Sequence, residues 1–326
     1  MEYRLRPDRP LGEEARKIAR SQIDAAIGEL SSPRNSGRSV HEARKCLKRV
    51  RSLVCLLRPA LGEKTFKRED RRIRTIARML SSARDCQAMI ETVGRIELED
   101  GRVWDAAAAQ SLKSQLHRDR DKAEFKLMRH GLQEAIDGLG SMREHYRTLN
   151  LKIAARHVAK GLGETYRRGR EDFQISFKKN RHEDFHSWRK SAQQHWRQMQ
   201  LFWHAWPAVL EARTELACEL SQLLGHDHDL SVLMNHVRQK TGRGATRDNK
   251  VLFDSCKRRQ KLMRASARLL GERLFAERPR DFRNRMNAYW RAARRRDASI
   301  KDAAADGRPM HPTNSGSDEH STDLTR

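Results

Sequence analysis

The chain repeats itself, and that restricts its fold more than any single motif does. HEARK at residues 41–45 returns as HSWRK at 186–190, 145 positions later, and LSSARD at 80–85 returns as LGHDHD at 224–229, displaced by 144. Two landmarks recurring at nearly one offset mean that one supersecondary plan is carried twice. The 326 residues then read as one domain over 1–300, with repeats at about 1–140 and about 145–296.

What repeats is helical. Period-two alternation is nowhere sustained, whereas Leu11, Ala15, Ile18, Ala19, Gln22, Ile23, Ala26, Ile27 and Leu30 form one face of an amphipathic helix that stops at SSPRNSGRS. The next helix is expected to start with Ser39 as N-cap and Glu42 three residues on, and to end near Pro59–Gly62. Further helices are expected at about 64–94 and 103–137. After a break at GLGSMREHYRT (138–148), the series resumes at 148–171, 181–205, 207–239 and 248–276, with a last helix beyond Pro279. From Asp302 the composition turns to Asp, Gly, Pro, Ser and Thr, which predicts a disordered tail over 302–326. The expected fold class is all-α: two similar antiparallel helical bundles related by a pseudo-twofold axis.

Charge narrows the partners. Lys and Arg number 68 against 43 Asp and Glu, a formal net charge of +25. Such a chain attracts polyanions, namely nucleic acid, anionic lipid or phosphate polymer. No run approaches the roughly 18 apolar residues of a membrane span, and the opening MEYRLRPDRP lacks an apolar signal core. Cys46, Cys55, Cys86, Cys218 and Cys256 show no CxxC spacing, so neither a zinc site nor a disulfide framework is expected. A cytoplasmic place follows as the expectation.

The basic residues fall into stripes. His41, Arg44, Lys48 and Arg51 share one helix face, with Lys45 and Arg49 beside it, while Leu47, Val50, Val54 and Leu57 occupy the core side. Lys67, Arg71, Arg74 and Arg78 repeat that register on the next helix, and acid interrupts both stripes little. Two such stripes facing each other repel strongly until an anion fills the gap. Arginine suits phosphate because its planar fork makes two hydrogen bonds at once, and lysine adds a compact charge. From the second repeat, Arg189, Lys190 and Arg197 are placed opposite.

Other residues leave alternatives open. His41 and His186 are helix-start histidines holding a structural hydrogen bond, or donors to phosphate, stronger when protonated, or else metal ligands or carriers of a phosphorylated intermediate. Asp85 and Asp229 close corresponding segments and are expected to orient arginines or cap a turn. HDHD at 226–229 is a metal-hydrolase pattern only if its ligands converge on one open site. Trp188, Trp196, Phe202, Trp203 and Trp206 are either core or stacking platforms for bases.

HEARKCLKRVRSLVCLL with LSSARD, then FHSWRKSAQQHW with LLGHDHDL, resembles the CHAD domain, the conserved-histidine α-helical domain. GLGETYRRGR (161–170) and LGERLFAERP (270–279) stand where that family has similar runs, so the resemblance covers roughly residues 1–296. It implies an all-helical, twofold-symmetric domain around a basic central channel, with inorganic polyphosphate as ligand and an association with polyphosphate granules. The triphosphate-hydrolysing domain fused to some relatives has no counterpart here. One departure weakens the second repeat: Gln193 and Gln194 stand where family members tend to carry lysine after the RK pair, and Arg213 is the only Lys or Arg in 198–226. Arg156, Lys160, Arg167 and Arg168 are candidates to restore charge. The expected function is polyphosphate binding by His41, Arg44, Lys45, Lys48, Arg49, Arg51, Lys67, Arg71, Arg74, Arg78, His186, Arg189, Lys190 and Arg197, without catalysis, cofactor or metal. The alternatives are a metal-dependent phosphohydrolase acting on polyphosphate or triphosphate, and a nucleic-acid binder.

Overall fold

Apolar residues spaced three and four apart wind nearly the whole chain into helices. The computed structural model describes residues 3–32, 36–100, 106–241 and 247–305. Among these the regular elements are helical throughout: α1 (Leu11–Leu30), α2 (Ser36–Leu56), α3 (Arg58–Met79), α4 (Ser82–Asp100), α5 (Ala106–Lys126) and α6 (Leu132–Thr148), then α7 (Ala155–Lys179), α8 (His182–Phe202), α9 (Pro207–Thr241), α10 (Arg247–Leu274) and α11 (Pro279–Ala305). A π-turn at Leu127–Gly131 joins α5 to α6, and a 3-10 turn at Trp203–Ala205 follows α8.

Several boundaries differ from the sequence expectation, each for a local reason. Ser39 lies inside α2 and is buried rather than capping it. The helix expected over 64–94 is two helices, α3 and α4, parted at Leu80–Ser81, where the Ser81 hydroxyl donates to the Arg78 carbonyl at 2.8 Å. Gly62, at φ 74°, kinks α3 early. The break expected at 138–148 is absent: α6 runs through it. Gly138 is there for packing, since a Cβ would sit 3.2 Å from Ile76 Cδ1 of α3. The chain turns instead at Leu149, and α7 restarts where the Ala154 amide donates to His157 Nδ1 at 3.2 Å. At the other end α11 continues to Ala305, so the first residues of the expected tail are helical. The remainder, 306–326, and most of the loop 241–249 lie outside the described residues.

The pairings recur between the halves. α1 packs on α2 and α6, as α7 packs on α8 and α11; α4 packs on α5, as α9 packs on α10; and α2 meets α8 between the halves. The repeats do not keep separate cores, however. The larger apolar cluster runs from Leu5 through Val50 and Trp188 to Trp290, and the smaller joins Met89, Val93 and Leu116 to Leu233, Val237 and Cys256. Each repeat completes the other, as quasi-equivalent units that cannot bury an apolar face alone must. Leu47, Val50 and Val54 are buried as expected of the core side of α2, as is Leu57 just past its end, and its basic side is left facing elsewhere.

Candidate functional site

The opposite side of α2 forms the floor of a cleft. A chamber of about 530 Å³ lies between α2 and α3, lined by Arg44, Lys48 and Arg51 from one and Arg71, Arg74 and Arg78 from the other, with no carboxylate in its wall. Lys48, Arg51 and Arg74 are shared with a second chamber of about 1090 Å³ that extends to α7 and α8. There Lys67, Lys190 and Arg197 of the predicted set join Arg58, Arg167 and Arg168, and nine cationic side chains outnumber four carboxylates. The two stripes therefore face one another rather than splaying apart.

Crowding and burial show in the titration of the floor. Lys48 is pulled down to about 8, first by burial and then by Arg197, Arg44 and Arg189. Arg197 is pulled down to about 10, again chiefly by burial. A guanidinium does not deprotonate in a protein, so for arginine the shift measures how poorly the cation is solvated. Cations held this way gain more from an incoming anion than solvated ones do.

Acid intrudes more than the sequence suggested. Asp70 accepts from Arg51 Nε at 2.6 Å and pairs with Arg74 Nε at 2.9 Å. Glu63 pairs with Lys67 at 3.4 Å and Glu42 with Lys45 at 2.9 Å. Stripe periodicity compares residues on one helix only, so it missed the Arg51–Asp70 pair, which crosses between helices.

Five of the predicted residues line neither chamber: His41, Lys45, Arg49, His186 and Arg189. Arg49 points to α1, donating to Gln22 Oε1 at 3.2 Å. His41 Nδ1 accepts from Arg84 Nε at 2.8 Å. Burial, then Arg84, lowers the His41 pKa. His186 Nδ1 lies 3.2 Å from His228 Nδ1, and burial with Lys190 and Arg189 nearby pushes His186 down to about 4. A protonated histidine at neutral pH is thus disfavoured at both motif positions. Arg156 and Lys160 also stay outside the cleft, while Arg167 and Arg168 reach it. Arg58 was missed altogether; standing alone before Pro59, it belongs to neither stripe.

Arg44 has a second task. Its Nη1 donates to the Ala77 and Leu80 carbonyls at 3.3 and 3.0 Å, capping the C-terminus of α3, and its Nη2 lies 3.7 Å from Asp85 at the start of α4. Asp85 thus orients an arginine. In the HDHD segment the side chains diverge: Asp227 is buried against Arg264 Nε at 2.7 Å, Asp229 lies 3.8 Å from Arg95, and His228 stacks on His186. Trp188 and Phe202 are core. Trp203 lies under Arg4, and Trp206, though half exposed, packs edge-on to Tyr289. None of these rings lines the cleft.

An all-helical domain in which a repeated HxxRK helix borders a cation-lined cleft is the class these features define. The chain belongs to the CHAD domain family, whose family model matches residues 17–238. Among solved structures, PptA from Streptomyces chartreusis superposes with a TM-score of 0.57 at 12% identity, covering 82% of this chain and 100% of that one. The CHAD domain from the plant Ricinus communis gives 0.54 at 16% identity, covering 89% and 94%. At these identities the likeness is one of fold. No curated protein matches the sequence.

Proposed function

We propose that the cleft binds inorganic polyphosphate and performs no chemistry on it. The observation that carries this is the facing of the α2 and α3 stripes across one connected space, with crowded, poorly solvated cations such as Lys48 and Arg197 in its walls. A phosphate polymer offers repeated charge and oxygen and nothing else to read, so a rail of Arg and Lys suffices. The one aromatic ring in the lining, Phe66, is covered by the Arg58 guanidinium at 4.9 Å, and a rail with so little to stack on favours such a polymer over single-stranded nucleic acid, whose binders add base stacking. The divergence of the HDHD side chains onto separate partners favours binding over metal-assisted hydrolysis.

The test is a titration with long-chain polyphosphate across a salt series, with DNA as competitor at equal phosphate. Binding weakened by Lys48→Gln with Arg71→Gln, and resistant to DNA, is expected. Arg71 is preferred to Arg44 because Arg44 also caps a helix. No binding at low salt, or displacement by DNA at parity, would sink the proposal.

A further inference from the structure

Asp70 is one of four carboxylates in the wall of the larger chamber, and its position is specific. Its side chain is only 11% exposed, and it places one oxygen on Arg51 of α2 and the other on Arg74 of α3. Those two arginines are also walls common to both chambers. The bridge Arg51–Asp70–Arg74 therefore stands where one chamber passes into the next. The other acid–base pairs along the stripes are more exposed: Glu63, with Lys67 and Arg58, is half exposed at the rim of the larger chamber.

A carboxylate that accepts from Arg51 Nε at 2.6 Å and is ion-paired with Arg74 Nε at 2.9 Å offers these two guanidinium groups the kind of anionic partner that a phosphate unit would. We infer that Asp70 is an internal stand-in for phosphate, occupying the junction until a chain long enough to cross both chambers displaces it. This rests on the cleft being a polyphosphate site and names the residue that sets its affinity and length preference. An anion confined to the smaller chamber meets Arg44, Lys48, Arg71 and Arg78 together with one side of Arg51 and Arg74, and does not have to pass the bridge. A longer chain must take Arg51 and Arg74 from Asp70 and then lie beside its negative charge. Passage through the junction is thereby penalised, and weakly charged or short competitors cannot meet that penalty.

The experiment compares Asp70→Asn with Glu164→Gln, a variant of equal charge change at another cleft-lining carboxylate. Titrations with long-chain polyphosphate and with tripolyphosphate are run at about 0.15 M salt, where charges beyond about 8 Å are screened. Asp70→Asn is expected to tighten long-chain binding about tenfold, since a charge-assisted hydrogen bond to Arg51 and an ion pair with Arg74 no longer have to be exchanged. Glu164→Gln is expected to give about twofold or less, and tripolyphosphate to gain less than the long chain from Asp70→Asn. Equal gains in the two variants, or equal gains for the two ligands, overturn the inference. Should Asp70→Asn fold poorly, the wild type decides by the 15N resonances of the Arg51 and Arg74 Nε–H groups. They shift on saturation with polyphosphate if the carboxylate is displaced; unmoved resonances refute the displacement. A wild type that binds no polyphosphate removes the cleft's function itself, which is a different failure.

Discussion

Lys48 is the residue at which desolvation inside the cleft and neighbouring positive charge act together, although its side chain still reaches solvent. With the free protein holding its pKa at about 8, a bound polyanion pulls it back toward the ordinary value near 10.4. The complex then takes up a proton above pH 8, so affinity falls as pH rises from 8 toward 10. Polyphosphate titrations at pH 7 and pH 9.5 should differ by about tenfold for one such group, and Lys48→Arg should remove most of that dependence. Without ligand the sign reverses. The unfolded chain holds this proton more tightly than the fold, so Lys48 contributes less destabilisation as pH climbs through the same window. Arg44 is tested differently. Arg44→Lys keeps the charge but cannot reach two carbonyls and Asp85 together, and urea unfolding should show a loss of about 1–2 kcal/mol.

At the scale of helices, close approach decides where the cleft walls stand. Gly161 on α7 lies against the end of α2, where a Cβ would overlap the Leu56 carbonyl oxygen. That contact sets α7, with Arg167 and Arg168, next to the basic helix. Gly161→Ala should force the helices apart at a cost of about 1–3 kcal/mol, read as a lower Tm, and should weaken polyphosphate binding by widening the larger chamber. The α3–α4 break is equally consequential: it turns α4 away and leaves Arg78 and Ser81 at the end of the smaller chamber. The corresponding HDHD segment of the second repeat stays inside the continuous helix α9. Equivalent motifs thus have different surroundings.

Over the whole molecule, charge and buried histidine set the response to solution conditions. His195 is fully buried and held neutral, its pKa lowered well below the ordinary value by burial and by Arg213. His41, His186 and His228 are lowered too, burial first in each case. For these bases the unfolded state gains the proton first, at about pH 6.5, so folding stability falls as pH drops below that value. Urea midpoints should decrease between pH 7 and pH 5.5, and His195→Gln should flatten the decline. An unchanged midpoint would mean that the histidines are solvated.

The primary structure alone specifies the helical class, the repeat, the family and which residues carry the charge. Those properties rest on local periodicity, composition and motif spacing, which one strand of text contains. It also placed the core side of α2, because Leu47, Val50, Val54 and Leu57 are read from a single helix. Tertiary structure alone decided that the α2 and α3 stripes share a cleft, that Asp70 of α3 clamps an arginine of α2, and that Arg49, His41 and His186 turn to other partners. It likewise decided that Gly138, at an expected break, and Gly161 are points of close contact between helices. Each of those outcomes depends on the distance between helices far apart in the chain. That distance is fixed only when the two repeats bury their apolar faces against each other.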